Sequence, residues 1–317
     1  LDNKYKFILP TLTFVSTIEC GEYVGMLPIL VDVEENGFLL DINQIEDIVK
    51  KDSTVKAIIP VHYGGEPVNM KHLWFLADKY GLFILEDAAH AIETVTNNKK
   101  IGNTDFAAAF SFYANKNITT GGEGGALVTN DSILAEKVRK LSLHGITKDG
   151  WDRYKIEGAW EYDIIDLGYK YNLTDYAAAF GLWQLKYINQ WQKRRQEIVE
   201  RYRKALSRVN GILLPKIKSG HANHLFVIRL QESRWSISRN RFIKEMNNRG
   251  IGLAVHYKPI HDLLYYKKRY GFKKDDFPNA NLLFQSIVSL PLYPSLTDIE
   301  VDTIILNICD LYKKYAK

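Results

Sequence analysis

Lys116 stands between an apolar run, Ala107 to Phe112, and four glycines, Gly121, Gly122, Gly124 and Gly125. The run has the length and composition of a buried strand. A second apolar run, Ala126 to Thr129, follows the glycines. Upstream, the apolar segment Leu82 to Leu85 leads into Glu86-Asp87-Ala88-Ala89-His90. An acid at the end of one buried strand and a lysine just past another suit pyridoxal phosphate (PLP) chemistry. A lysine amine links covalently to that cofactor, and a carboxylate keeps the pyridine nitrogen protonated so that the ring accepts electrons. The link needs a neutral amine, so the site must disfavour ammonium by burial or by a nearby positive charge. A glycine-rich turn lets the backbone pass close to a cofactor.

The neighbouring residues admit bland readings as well. Asp87 could bind a ribose hydroxyl in a dinucleotide fold, but that reading needs a G-x-G-x-x-G upstream. Residues 1–86 contain none, and the Gly64-Gly65 pair is not one. His90 is either a structural hydrogen-bonding histidine or a contact to the cofactor's phenolic oxygen. Ser111, five residues before Lys116, is either a plain strand-end hydroxyl or a phosphate ligand.

The elements that must position these residues follow from periodicity. Val55 to Val61 reads as a buried parallel strand. Asn69 to Tyr80 reads as a helix with Met70, Leu73, Trp74, Ala77 and Tyr80 on one face, and Gly81 suits its C-terminal cap. Asp131 could cap a helix carrying Ile133, Leu134, Val138 and Leu141. Strand–helix–strand repetition argues for an α/β domain with a mostly parallel sheet, whose ligands bind beyond the carboxyl ends of the strands. Asp87 and Lys116 both lie just past such ends. Thr174 to about Val209 reads as one long helix bridging two domains. After it come a strand, Leu225 to Leu230, a capped helix, Ser238 to Arg249, ending at Gly250, and a strand, Gly252 to Tyr257. Thr297 and Glu300 form a capping-box pattern before the last helix. The expected division is a large domain over 1–195 and a smaller α+β domain over 196–317.

Composition excludes several classes. The 317 residues suffice for a large core, with 46% hydrophobic and 25% charged residues. The net charge of +5 is mild, and the Lys193-Arg194-Arg195 cluster reads as a solvated helix face rather than a nucleic-acid footprint. No apolar run approaches the ~18 residues of a membrane span. Cys20 and Cys309 lie far apart, form no metal-ligand pattern and suggest a reducing compartment. The chain starts at Leu1 and runs almost at once into an apparent strand, with no signal peptide, so a cytoplasmic location is expected.

Four segments, EDAAHA, SFYANKNITTGGEGG, LGYKYNLTD and GIGLAVHYKPIH, taken in that order, resemble the motifs of the DegT-type sugar aminotransferases. The likeness runs from Pro10 through the last helix. It implies the type I PLP-dependent transferase (aspartate-aminotransferase) fold and amino transfer from an amino acid, glutamate foremost, to a nucleotide-linked keto sugar. The likeness is strongest to members acting at C4 of UDP-linked 4-keto sugars in glycan and cell-surface polysaccharide biosynthesis. By resemblance, Lys116 is the cofactor-linking lysine and Asp87 the partner of the pyridine nitrogen. His90 then lies near the ring oxygen, Phe14 stacks on the ring and Ser111 binds the phosphate. Asn172 reaches the phosphate of the other subunit in a homodimer. His256 is a substrate-site histidine, with Tyr113 and His144 as further substrate-side candidates. Lys116 separates the chain from relatives with histidine there, which act as dehydratases. A non-catalytic regulator or partner subunit of the same fold, and a PLP-dependent dehydratase, stay open as alternatives. The family also carries N-terminal helices, a strand and a small-residue loop that grips the PLP phosphate ahead of the point where this sequence begins. Weaker PLP binding by this chain alone is therefore expected.

Overall fold

The computed structural model describes residues 4–103, 106–147, 162–216 and 218–317. Its first half alternates as the periodicity requires: β1 (Lys6–Pro10), α1 (Ser16–Tyr23), β2 (Leu27–Val31), α2 (Asn43–Lys51), β3 (Val55–Ile58), α3 (Met70–Tyr80) and β4 (Phe83–Asp87). A short ribbon, β5 (Val95–Thr96) and β6 (Lys99–Lys100), precedes β7 (Ala107–Ser111), β8 (Gly125–Thr129) and α4 (Ser132–Ser142). The main sheet has the order β2-β1-β3-β4-β7-β8. Its first five strands are parallel, and β8 closes the edge antiparallel to β7. Phe7, Ile8, Leu9, Ile58 and Ile84 are buried between the helix layers with Met70, Leu73 and Leu76 of α3. The expected caps are present. Gly81 ends α3 in the left-handed region, and the Asp131 carboxylate accepts from the Ile133 and Leu134 amides at the start of α4.

The single long helix expected from Thr174 onward is two helices, α5 (Asp175–Leu185) and α6 (Ile188–Leu206), with Tyr187 non-helical at the break. Neither glycine nor proline marks the break; packing makes it. Gln184 at the end of α5 is buried against the turn that follows Lys116. Ile198, Val199, Tyr202 and Leu206 of α6 enter a second core. One straight cylinder cannot satisfy both partners.

The chain goes on through β9 (Ile212–Leu213), β10 (Phe226–Leu230), α7 (Arg239–Asn247), α8 (Leu264–Tyr270), α9 (Pro278–Ser286), β11 (Ile287–Leu290) and α10 (Asp298–Tyr315), of which β9, β10, α7, β11 and α10 build the second core with α6. Its antiparallel sheet has the order β11-β10-β9. Thr297 and Glu300 form the capping box at α10. Ile260, Tyr266 of α8 and Phe277, Ala280 and Leu283 around α9 fold back onto the first core. The Asp32 carboxylate secures that return by accepting from the Asn279 and Ala280 amides, both at 2.9 Å, at the start of α9.

Gly252 to Tyr257 is not the expected strand. A single bridge joins Ala254 to Ser289. Past it, a side chain takes the one ladder group bonded here, and His256 is fixed by a second side chain. The Tyr63 hydroxyl donates to the His256 carbonyl, and the Ser289 hydroxyl bonds His256 Nδ1 at 2.7 Å.

Candidate active site

Lys116 sits in the connection from β7 to β8, where its amide donates to the Tyr113 carbonyl at 3.0 Å. The following turn is tightly tied. The Thr120 hydroxyl donates to the Glu123 carbonyl at 2.9 Å, and the Gln184 amide group bonds both the N–H and the carbonyl of Thr119. A Cβ on Gly124 would stand 2.1 Å from Thr120 Oγ1, which is why that position carries glycine. The Lys116 amine is half-buried and makes no hydrogen bond or ion pair among the described residues. Burial pushes its pKa down, and the negative charge of Asp87 opposes that shift.

Strand alternation divides the two acids that end β4. Glu86 points into the interior and bonds His62 Nε2 at 2.9 Å, with both side chains fully buried. Asp87 takes the other face. Its Oδ2 accepts from the Thr17 hydroxyl of α1 at 2.7 Å, and its Oδ1 accepts from the Ala89 amide at 3.1 Å. Each oxygen keeps accepting capacity for one more donor.

His90 is held at both ring nitrogens. Its Nδ1 accepts from the Gly64 amide at 3.1 Å, and Nε2 lies 3.0 Å from the Tyr257 hydroxyl. Burial chiefly, with Lys116 adding to it, drives the His90 pKa well below the usual histidine range. The neutral ring therefore carries its proton on Nε2 and donates it to the Tyr257 oxygen, leaving the Tyr257 hydroxyl proton free to donate elsewhere. His256 is likewise held neutral, its pKa lowered to about 4 by burial and by Lys116. His224 packs its ring 4.4 Å from that of His90 and places Nδ1 2.8 Å from Asn117 Oδ1.

These groups surround a cleft of about 1110 Å³ between the two cores. Lys116, Asn117 and His90 form the wall given by the main sheet. His224, His256, Tyr257 and Ser289 face them, and Trp191 and Arg195 extend the cleft along α6. Arg195 departs from the solvated helix face expected of its cluster. It is 4% exposed, because α6 turns it inward to donate to the Leu292 carbonyl at 2.8 Å.

Of the residues singled out in the sequence, Lys116, His90 and His256 line this cleft, and Asp87, which is not on the lining, lies within electrostatic reach of Lys116. Phe14 is an exposed ring at the rim, 5.7 Å from the Tyr257 ring. Ser111 ends β7, and its Oγ accepts from the Tyr113 amide at 3.3 Å, with Tyr113 itself exposed. His144 and Asn172 are exposed and do not line the cleft. The His144 amide donates to the Tyr169 carbonyl at 2.8 Å, and Asn172 Oδ1 accepts from Lys170. Sequence reasoning passed over Asn117 and Tyr257, although each directly follows a residue it named. Nothing local in the sequence marks Thr17, His224 or Arg195 as site residues.

The residues present fit PLP. A lysine amine biased toward its neutral form has no competing partner, a carboxylate with spare accepting capacity lies within its electrostatic reach, and hydroxyl and amide donors end the neighbouring strand.

Similarity to known proteins agrees. A model of the DegT/DnrJ/EryC1/StrS aminotransferase family matches residues 1–309. The spore coat polysaccharide biosynthesis protein SpsC of Bacillus subtilis is 42% identical over 309 residues, covering 96% of this chain and 79% of SpsC. The PMP form of the Streptococcus pneumoniae protein Spr1654 aligns at TM-score 0.89 and 30% identity, over 98% of this chain and 82% of that one. Its PLP form aligns at TM-score 0.88. Helicobacter pylori PseC, an aminotransferase involved in the biosynthesis of pseudoaminic acid, aligns at TM-score 0.90 and 27% identity, over 99% of this chain and 81% of PseC.

Proposed function

The chain belongs to the DegT/DnrJ/EryC1/StrS aminotransferase family and is a PLP-dependent aminotransferase of the type I fold, and we propose that it moves an amino group from L-glutamate to C4 of a UDP-linked 4-keto sugar. The observation that carries this reading is the half-buried Lys116 amine, without a partner among the described residues, in a cleft between two cores and within electrostatic reach of Asp87. The names of SpsC and PseC support a sugar acceptor in surface polysaccharide or glycan biosynthesis. In this reading residues 1–195 carry the cofactor and residues 196–317 form the smaller, substrate-side domain. Two free cysteines, Cys20 and Cys309, agree with work in the cytoplasm.

When bound, PLP supplies an electron-accepting ring that stabilises negative charge at the α-carbon of the amino donor. Asp87 holds a proton at the ring nitrogen, oriented by Thr17 and the Ala89 amide. Lys116 anchors the cofactor, then takes a proton from the donor α-carbon and delivers one during the reverse half-reaction on the sugar. His90 and Tyr257 order the ring-oxygen side of the site, Ser111 meets the phosphate, and Phe14 stacks at the rim. His256 meets the sugar, with Tyr113 and His144 further out on the substrate side. The keto acid leaves before the keto sugar binds.

The working unit is a homodimer in this reading. Leu167, Tyr171, Tyr176, Leu182 and Trp183 are exposed apolar residues in and just before α5, with Tyr176 93% and Leu167 92% exposed. Exposed apolar residues of that kind suit burial against a second copy. Asn172 is exposed in the same stretch of chain, from which, in this reading, it reaches the other subunit's site.

The test is reductive trapping. The purified chain with PLP should show a visible absorption band, and borohydride should leave the cofactor on Lys116 by peptide mass mapping. Glutamate added before borohydride should abolish the band. Lys116→Ala should lose label and turnover together. Labelling of a different lysine, or glutamate without effect on the band, would overturn the reading.

A further inference from the structure

Arg195 is a buried cation with no acid among the described residues to balance it. Its one hydrogen bond among the described residues goes to a neutral acceptor, the Leu292 carbonyl. Its neighbours on α6 are treated differently. Arg194 bonds Asp298 at 2.8 Å, and Arg201 bonds Asp302 through two nitrogens. Burial of an uncompensated guanidinium is costly, and such groups are normally paired. Burial lowers the Arg195 pKa only to about 10, so the group stays charged at neutral pH.

A second orphan lies on the facing wall. Asn117 is 6% exposed, and its Nδ2 has no partner although its Oδ1 meets His224. Buried amide donors without an acceptor are rare in native proteins. His224 connects the two, bonded to Asn117 and within the electrostatic reach of both Arg195 and Lys116. Among the described residues, Glu197 is the one acid on the cleft lining, and it is engaged with Arg194 at 3.5 Å. The two orphans share one unmet need, a negatively charged acceptor.

We infer that Arg195 and the Asn117 amide form an anion subsite of the cleft that takes a carboxylate or phosphate group of a substrate. The inference rests on the cleft being the substrate site, as proposed above. The anion has two sources, the carboxylate of the amino donor and the diphosphate of the nucleotide sugar.

Isothermal titration of the full chain with glutarate, and separately with inorganic pyrophosphate, separates these sources without any turnover. One of the two anions should bind, and Arg195→Gln should weaken it at least about tenfold, the usual loss for a charge-assisted contact. Arg195→Lys, which keeps the charge but not the fork, should fall between. Binding of glutarate assigns the subsite to the donor, and binding of pyrophosphate assigns it to the nucleotide. No binding of either anion, or equal binding by folded Arg195→Gln, overturns the inference. Should circular dichroism show Arg195→Gln unfolded, Asn117→Ala decides. It should weaken the same anion about threefold or more, and unchanged affinity overturns the subsite. A chain that labels at Lys116 but binds neither anion keeps the proposed function and loses only the subsite.

Discussion

The two walls of the cleft are held by different means. On the sheet wall, Asp87 ends a parallel strand, so register and alternation fix where it points, and Lys116 stands in the turn past the next strand, tied by its amide to Tyr113 and through Thr119 to Gln184. On the opposite wall, His224, His256 and Tyr257 lie outside regular structure and are held by side chains: His256 by Ser289, Tyr257 by His90, His224 by Asn117. A wall set by backbone ladders tolerates loss of one polar contact. A wall set by single side-chain bonds does not. In the proposed mechanism the chemical roles follow the same division, with the reacting groups on the first wall and the recognition groups on the second.

The sharpest test of that contrast is on the first wall. Asp87→Asn keeps the shape and the Thr17 and Ala89 contacts but removes the charge. It should fold with an unchanged melting temperature and still take the borohydride label on Lys116. Turnover should drop by roughly 10²–10⁴, the scale of a lost proton-transfer contribution. Near-normal turnover by Asp87→Asn would remove the assigned role. A large fall in melting temperature would show that this wall, too, depends on its polar contacts.

That difference also explains what the sequence could reveal. The run ending in Asp87, the lysine before four glycines, the Asp131 cap and the Thr297–Glu300 box are local patterns, and the structure contains each of them. The break at Tyr187 is not local. It arises because Gln184 is locked to Thr119 while Tyr202 and Leu206 enter another core. Arg195 looked like a surface charge because its neighbours are, and only the direction α6 takes after the break buries it. The strand expected over Gly252 to Tyr257 shrinks to the Ala254–Ser289 bridge, and past it Tyr63, remote in sequence, takes the His256 carbonyl.

Gln184 offers a test of intermediate size, because it is the one side chain that bonds the turn after Lys116 from α5. Gln184→Leu leaves the Thr119 N–H and carbonyl without their partner in a partly buried place. Stability should fall by about 1–3 kcal/mol, measured by urea unfolding. Turnover should fall further than the lost stability explains, as Lys116 loses its fixed position. Unchanged turnover in a folded Gln184→Leu chain would mean that the β7–β8 ladder alone places Lys116.

The smallest effect comes from the histidines of the second wall and its approach. His256 and His221 are each lowered from 6.5 to about 4, in both cases chiefly by burial. Between those values the unfolded chain binds a proton at each ring and the folded chain does not. Stability from these groups is therefore complete above about pH 6.5 and is lost as the pH falls toward 4. Each should contribute roughly 1–3 kcal/mol of that loss. Thermal melts from pH 7 to 4 should show the decline, and His221→Gln, whose ring lies off the cleft lining, should flatten it without changing turnover. Lys116→Ala offers a second arm, since Lys116 is a cause of the His256 shift. Its removal should raise the His256 pKa, read by NMR titration of the ring. A His256 pKa unmoved by that change would place the lysine too far away to share one site with the second wall, and the two walls would no longer enclose one reaction.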